Sequence, residues 1–434
     1  MLVNFRFKNC RSFYDESVLS MQATPDGAYR ELNTFNAGEM LPKGERELIK
    51  SAAIFGGNAS GKSNVLKAFT YMKNVVYLSS AQLPVLASNE SFALKVGADM
   101  EESLYEVEIV QNGKFYKYGF ELCEGKVKRE WLYRREARMT RVFERNNGEL
   151  KITGESAQSI NLIKVSDATL FLSIGNNFNL ASNVYLTDVM EWFTNARVVF
   201  DNKGSSNSLD IYDEKNGKYK VQALEILKRA DIGITDFNVI KDKVAGSDPE
   251  SIMKLNMMIQ SNPDRFAGQI KEEDDGYYKT DLKTAFDIYD DGGDIVGQKD
   301  VMLFKESGFN SEGTVRLLDY LGWILAALDN GRVIFIDEID SRLHFLVVDY
   351  IVKLFNSIEN NPKNAQLICT AHNVMLMDDG LRRDQIYFTS KDSRGRSTLV
   401  SLADYTGVRK TDLFSKRYLA GFYAAIPDMM ADRE

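Results

Sequence analysis

Cysteine is scarce in this chain. Cys10, Cys123 and Cys369 lie far apart, form no CxxC pair and leave nothing to staple a fold. That excludes a disulfide framework, disfavours a zinc site and predicts a reducing, cytoplasmic setting. Long apolar runs are missing as well: no window approaches the roughly 18 residues a membrane span needs, so no membrane role is expected. The opening MLVNFRFKNCRSFYDESV has charges at Arg6, Lys8 and Arg11 and no apolar core, which is not the pattern of a signal peptide. Repeats, sustained heptads and low-complexity tracts are absent. Positive charge is not in excess either. A net charge of −8 with a pI near 5.2 argues against a generic nucleic-acid coat. One local exception is 124–145, EGKVKREWLYRREARMTRVFER, with eight Lys/Arg against four Glu and interleaved Trp131, Tyr133 and Phe143. It reads either as the solvated face of strands or as a docking patch for nucleic acid or protein.

What is present describes an ordinary globular protein, 44% hydrophobic and 27% charged, long enough for one large domain or two to three smaller ones. SAAIFGG is a short apolar strand running into a glycine loop, and KSNVLKAFTYMKNV continues as a helix. Residues 91–152 read as β-rich, with hairpins at Asn112-Gly113 and Asn147-Gly148. Helical patterns dominate 180–232. The polar stretch 242–299 holds Asp287, Asp290, Asp291 and Asp294, but lacks EF-hand spacing and its closing Glu, so a hairpin turn at Gly292-Gly293 is expected. RVIFIDE and AQLICTAH then read as buried strands separated by the helix HFLVVDYIVKLFNSI. Strand–helix alternation at both ends of the chain predicts a parallel sheet completed by distant segments.

Four features carry chemistry. Gly56-Gly57-Asn58-Ala59-Ser60-Gly61-Lys62-Ser63 fits G-x4-G-K-[ST], and it stands between a strand and a helix. Glycines let backbone N–H groups converge on phosphate oxygens at a helix N-terminus. Lys62 is placed to reach the β/γ phosphates, Ser63 to ligate Mg²⁺. Asn58 and Asn64 flank this phosphate site. In VIFIDE, four apolar residues deliver Asp337, suited to the Mg²⁺ shell, and Glu338, suited to a general base acting on water. Ser311-Glu312-Gly313-Thr314 opens an amphipathic helix just upstream, a second phosphate-binding helix end. The plain reading is a helix cap. The functional reading is that two subunits sandwich ATP, each giving its loop to one site and Ser311 and Gly313 to the other. His372, at the end of LICTAH, is placed to reach the γ-phosphate or the attacking water. His344 is expected to position the loop after the acids or to pack near a dimer seam, and Asp340 to communicate across it.

Loop, Ser-x-Gly-Thr helix start, Asp-Glu strand and strand-end histidine resemble, in that order, the ABC-type ATPase superfamily. The 275 positions between Lys62 and Asp337 are similar to the wide spacing of its Rad50-like, SMC and OLD branch. Within it the chain resembles the prokaryotic AAA-family ATP-binding proteins that include RloA-like and AbiL-like abortive-infection ATPases. The resembling stretches are FKNCRSFYDESVLSM, FGGNASGKSNVLKAF, YKYGFEL with KREWLYRR, SEGTVRLL, FIDEIDSRLH, TAHNVMLMD, LRRDQIYF and YLAGFYAAIPDM. The resemblance implies Mg-ATP binding by Gly56, Gly61, Lys62 and Ser63, metal and water handling by Asp337 and Glu338, recognition in trans by Ser311 and Gly313, and γ-phosphate sensing by His372. Arg11 matches a basic position that approaches nucleotide in related ATPases. The glutamine usually near Mg²⁺ is not identifiable, Gln82 and Gln111 being the nearest candidates. Neither a coiled-coil arm nor a C-terminal nuclease domain is recognisable.

The expectation is therefore an α/β ABC-type P-loop ATPase head, without a long coiled coil, with a mixed, largely parallel core sheet, an antiparallel β subdomain and a helical signature lobe. The nucleotide-binding lobe is expected over 1–180 and 325–434, the signature lobe over 181–324. ATP and Mg²⁺ are the expected ligands. A homodimer or an assembly of dimers is expected, with a nuclease or toxin effector encoded nearby, in anti-phage defence. A DNA-scanning or DNA-repair ATPase and a non-hydrolysing scaffold are the alternatives.

Overall fold

A computed structural model of the chain describes residues 1–81, 85–153, 165–177, 184–200, 206–213, 217–261, 270–303, 310–409 and 412–423. The chain divides into two compact units. The first comprises Met1–Val199, Gly331–Ile339 and Asp349–Glu434, the second Phe200–Asn330 and Asp340–Val348.

The first unit holds a six-stranded sheet in the order Arg197–Val199, Val333–Ile336, Gln366–Thr370, Ser51–Gly56, Ile386–Lys391, Ser397–Ser401. All neighbours are parallel except the last pair. Every residue of SAAIFG, VIFI and QLICT is buried. A parallel strand is covered on both faces, which is why these segments read as unbroken apolar runs. The expected sheet built from distant segments is thus present, with the strand ending near His372 lying between the loop strand and the acid strand.

The same unit carries a seven-stranded antiparallel sheet, running from Glu149–Ile152 through Met139–Asn146, Lys126–Arg135, Lys114–Cys123, Ser103–Gln111 and Leu2–Lys8 to Ser17–Ser20. Both Asn-Gly hairpins are where the sequence puts them. Asn112 and Gly113, like Asn147 and Gly148, adopt positive φ, the left-handed pair that a tight two-residue hairpin requires. The helix Lys62–Leu78 ties the two sheets together through Phe69. Its ring stacks on Phe335 of the acid strand at 4.3 Å and meets Phe5 of the antiparallel sheet edge-on at 5.4 Å. Gln366 adds a polar tie, accepting from the Leu2 amide at 2.6 Å and donating to the Leu2 and Ile49 carbonyls.

The basic segment 124–145 falls on two of these strands. Arg129 pairs with Glu121 and Glu144, Arg134 with Glu136, Arg141 with Glu144, and the wholly buried Arg145 with Asp167. Trp131 packs under Arg129 and donates to Glu106 at 2.9 Å. Most of its arginine charge is spent within its own unit, which favours the strand-face reading.

In the second unit, helices Lys218–Arg229, Pro249–Ser261 and Glu312–Asn330 accompany a four-stranded antiparallel sheet. Ile234–Gly246, Gly276–Tyr289, Ile270–Glu273 and Ile295–Met302 form it. The expectation of a helical segment over 181–324 is corrected here. In Ile234–Gly246 only Ile234 and Phe237 are buried, and Gly276–Tyr289 buries the polar Lys279, Thr280, Asp281 and Thr284, so no apolar alternation betrays these strands. The Asp290–Asp294 stretch is a turn closing on itself, with Asp290 Oδ1 accepting from the amides of Gly292 and Asp294 at 2.9 Å. Among the described residues, no helix is long and apolar enough to cross a membrane.

Candidate functional site: a phosphate loop beside an acid strand

The loop leaves its strand at Gly56 and enters the helix at Gly61, with φ of 154° and 116°. Neither position admits a side chain. A Cβ on Gly56 would meet the Thr389 carbonyl oxygen at 2.4 Å, and one on Gly61 would meet Ser397 Oγ at 2.6 Å and Ser12 Oγ at 3.0 Å. No side chain caps the helix at Gly61, so its first N–H groups face the loop. Lys62 is buried and donates to the Gly56 and Gly57 carbonyls at 2.8 and 3.2 Å, which holds its ammonium across the loop. Asn58 is exposed, and Asn64 donates to Ser12 Oγ at 2.8 Å, a bracing role for a residue expected at the phosphates.

The loop is braced by hydroxyls from other segments. Ser60 Oγ and Thr389 Oγ1 share a hydrogen bond of 2.6 Å. Ser397 Oγ donates to the Ser60 carbonyl at 2.7 Å, and the Ser397 amide donates to the Ser12 carbonyl at 2.7 Å. Ser12, Thr389 and Ser397 escaped the sequence reading because a lone hydroxyl carries no spacing signal.

Two strands away, Asp337 is buried and Glu338 half exposed. Glu338 has φ 48°, a left-handed conformation uncommon for any residue but glycine. Three bonds hold this kink. The Asp337 amide donates to the Val199 carbonyl at 2.8 Å, the Glu338 amide to Thr370 Oγ1 at 2.7 Å, and the Ile339 amide to the Thr370 carbonyl at 3.0 Å. Thr370 Oγ1 in turn donates to Asp337 Oδ1 at 2.7 Å. His372 Nε2 lies 3.6 Å from Glu338 Oε1, so the histidine and the expected base meet at one end of the sheet. Thr370 was also missed; its signal is a polar side chain after the apolar Leu367-Ile368-Cys369, two positions before His372.

Ser311 and Gly313 lie in the second unit. Ser311 caps its helix, Oγ accepting from the Thr314 amide at 3.1 Å. Gly313 lies against the loop after the acids, since a Cβ there would meet the Arg342 carbonyl oxygen at 2.5 Å. Arg342 also pairs with Glu312 at 2.8 Å. His344 Nδ1 accepts from the Leu346 amide at 3.3 Å, at the start of the helix Phe345–Asn356. Arg11 pairs with Glu90 at 2.7 Å, while its neighbour Ser12 reaches the loop helix. Gln111 donates to Glu191 at an exposed hairpin. Gln82 lies outside the described residues.

This arrangement fits a nucleoside triphosphate with magnesium. The glycine cradle and open helix end suit phosphate oxygens. The Ser63 hydroxyl and Asp337 carboxylate are hard oxygen donors, the small protein contribution Mg²⁺ takes when phosphates supply the rest. Among the described residues, no group of three or more His, Cys, Asp or Glu forms a separate metal cage.

Residues 51–378 match the protein family described as "AAA domain, putative AbiEii toxin, Type IV TA system". The matched span runs from the loop strand past His372 and includes the helix Glu312–Asn330. No curated protein matches the chain.

Proposed function

The chain belongs to that AAA-domain family of nucleotide-binding P-loop ATPases, and from this premise we propose that it hydrolyses Mg-ATP, dimerises around the nucleotide and so governs an effector in bacterial anti-phage defence. The observation that carries the hydrolytic reading is Glu338, held in a left-handed kink by two backbone bonds and one to the Thr370 hydroxyl, with His372 at 3.6 Å. Such strain costs on the order of 1–3 kcal/mol and persists where the surroundings over-determine it. A scaffold that only bound ATP would have no use for it. In the proposed reaction, the loop amides and Lys62 bind the β/γ phosphates and neutralise charge that develops as the γ-phosphoryl leaves. Glu338 accepts the proton of the attacking water, and His372 orients Glu338 and the γ-phosphate. Ser63 and Asp337 would hold Mg²⁺, which when bound supplies charge neutralisation at the phosphates.

The regulatory reading rests on different support. The family's description names a putative toxin of a type IV toxin–antitoxin system, which supports a place in defence. Ser311 and Gly313 open a second helix end suited to phosphate, and we assign them to the nucleotide of a partner copy. A DNA-scanning ATPase would need free cations over 126–145, where the arginines are mostly paired.

Two variants test this function. Glu338→Gln should lower turnover about 100-fold or more, within the range of removing a proton-transfer group, while nucleotide still binds. Ser311→Arg should abolish ATP-dependent dimerisation in light scattering and lower hydrolysis. Unchanged turnover in the first would remove Glu338 as base; an ATP-dependent dimer surviving in the second would sink the shared site. Co-expression with the product of the neighbouring gene should give a complex whose stability changes with ATP.

A further inference from the structure

The Thr370 side chain touches both halves of the acid pair. Its hydroxyl donates to Asp337 Oδ1 and accepts from the Glu338 amide, both at 2.7 Å, and the residue is fully buried. A hydroxyl has a single proton, so the two contacts fix its direction: the proton goes to the carboxylate and a lone pair to the amide. Its own carbonyl takes the next amide, that of Ile339. One residue therefore sets the rotamer of the carboxylate on the metal side and the backbone kink that aims the carboxylate on the water side.

We propose that Thr370 is a positioning residue that couples the metal-side Asp337 to the base Glu338, so that both are aligned by one hydroxyl. This rests on the hydrolytic reading given above. A threonine methyl would pack as well in QLICT if replaced by valine, so strand burial alone does not call for the hydroxyl. Thr370→Val keeps the shape, frees Asp337 Oδ1 from that bond and leaves the Glu338 amide without its acceptor. Outer groups that orient metal ligands typically change metal affinity or activity by about 10–100-fold when removed.

The test uses the full chain with Mg²⁺, ADP and ATP as probes. In Thr370→Val, kcat should fall about 10-fold or more, and the Mg²⁺ concentration that half-saturates ADP binding, read by fluorescence without turnover, should rise by a similar factor. ADP affinity without Mg²⁺, set by the loop, should stay within about two-fold. Thr370→Ser, which restores the hydroxyl, should recover both quantities; a purely packing role would instead favour Val over Ser. If Thr370→Val does not fold, Thr370→Ser carries the test alone: near-normal kcat and Mg²⁺ response support the role, and loss of both overturns it. Wild-type turnover that depends on Lys62, together with a normal Thr370→Val, would overturn this role and leave the ATPase reading standing. Absence of Lys62-dependent turnover in the wild type would overturn both.

Discussion

Placing a single methyl group on the loop tests the geometry of the phosphate site most directly. Gly61→Ala puts a Cβ where Ser397 Oγ stands at 2.6 Å and Ser12 Oγ at 3.0 Å, at a φ of 116°. The backbone conformation itself costs a side chain on the order of 1–3 kcal/mol. Displacing Ser397 Oγ from the Ser60 carbonyl, a 2.7 Å bond, adds about 0.5–1.5 kcal/mol. Together a loss of roughly 1.5–4.5 kcal/mol is expected. Urea unfolding followed by tryptophan fluorescence measures it, and nucleotide-induced stabilisation should vanish as the first helical amides shift. The steric share can be separated from the backbone share. Ser397→Gly removes both clashing Ser397 atoms, so in a double-mutant cycle the pair should couple favourably by about 1 kcal/mol while the backbone cost persists. A Gly61→Ala protein within 0.5 kcal/mol of wild type, or a cycle with no coupling, would refute the account of a loop clasped between Ser12 and Ser397.

Other perturbations follow from the same contacts. Lys73, on the loop helix, has its pKa pushed down from 10.5 to about 8 by burial, with the Arg197 guanidinium adding to the effect. Between those pH values the unfolded chain binds more protons than the folded one, so stability should rise with pH across that window by about 3 kcal/mol. Lys73→Met should flatten the rise, and an unchanged slope in urea midpoints against pH would show that Lys73 is not its source. Arg382 is wholly buried, paired with Asp384 at 2.6 Å and donating to the carbonyls of Thr24, Asp26 and Ala28. Arg382→Ala leaves Asp384 without its buried partner and should cost about 3–5 kcal/mol in denaturant unfolding. A loss under 1 kcal/mol would mean that water or Thr24, which already donates to Asp384, satisfies the carboxylate.

The phosphate loop and the acid strand were legible because their chemistry fixes residue types at fixed spacing. Gly56, Gly61, Lys62, Ser63, Asp337 and Glu338 announce themselves in that way. The Asn-Gly hairpins were legible for a related reason: only a few residue pairs accept two positive φ values in succession. Ser12, Thr370, Thr389 and Ser397 were not, since each is one hydroxyl whose partner lies tens to hundreds of positions away in the chain. Asn64 was read as a phosphate neighbour for its place in the motif, whereas its amide binds Ser12. Apart from the hairpin turn at Gly292-Gly293, the sheet of the second unit was missed because its strands carry polar residues at buried positions, which erases the period-two signal.

The strand order has a consequence for how this protein tolerates change. Loop and acids are 275 positions apart in the chain, yet only the strand Gln366–Thr370 stands between theirs, a separation of about 10 Å at ordinary strand spacing. The chain leaves the core sheet after Val199 and returns at Val333 on the adjacent strand, with Arg197 in register beside Ile334. Everything between those points is a detour that starts and finishes on neighbouring strands. Lengthening or shortening the loops within it need not move Lys62 relative to Glu338, so the spacing of loop and acids is insulated from insertions in the detour.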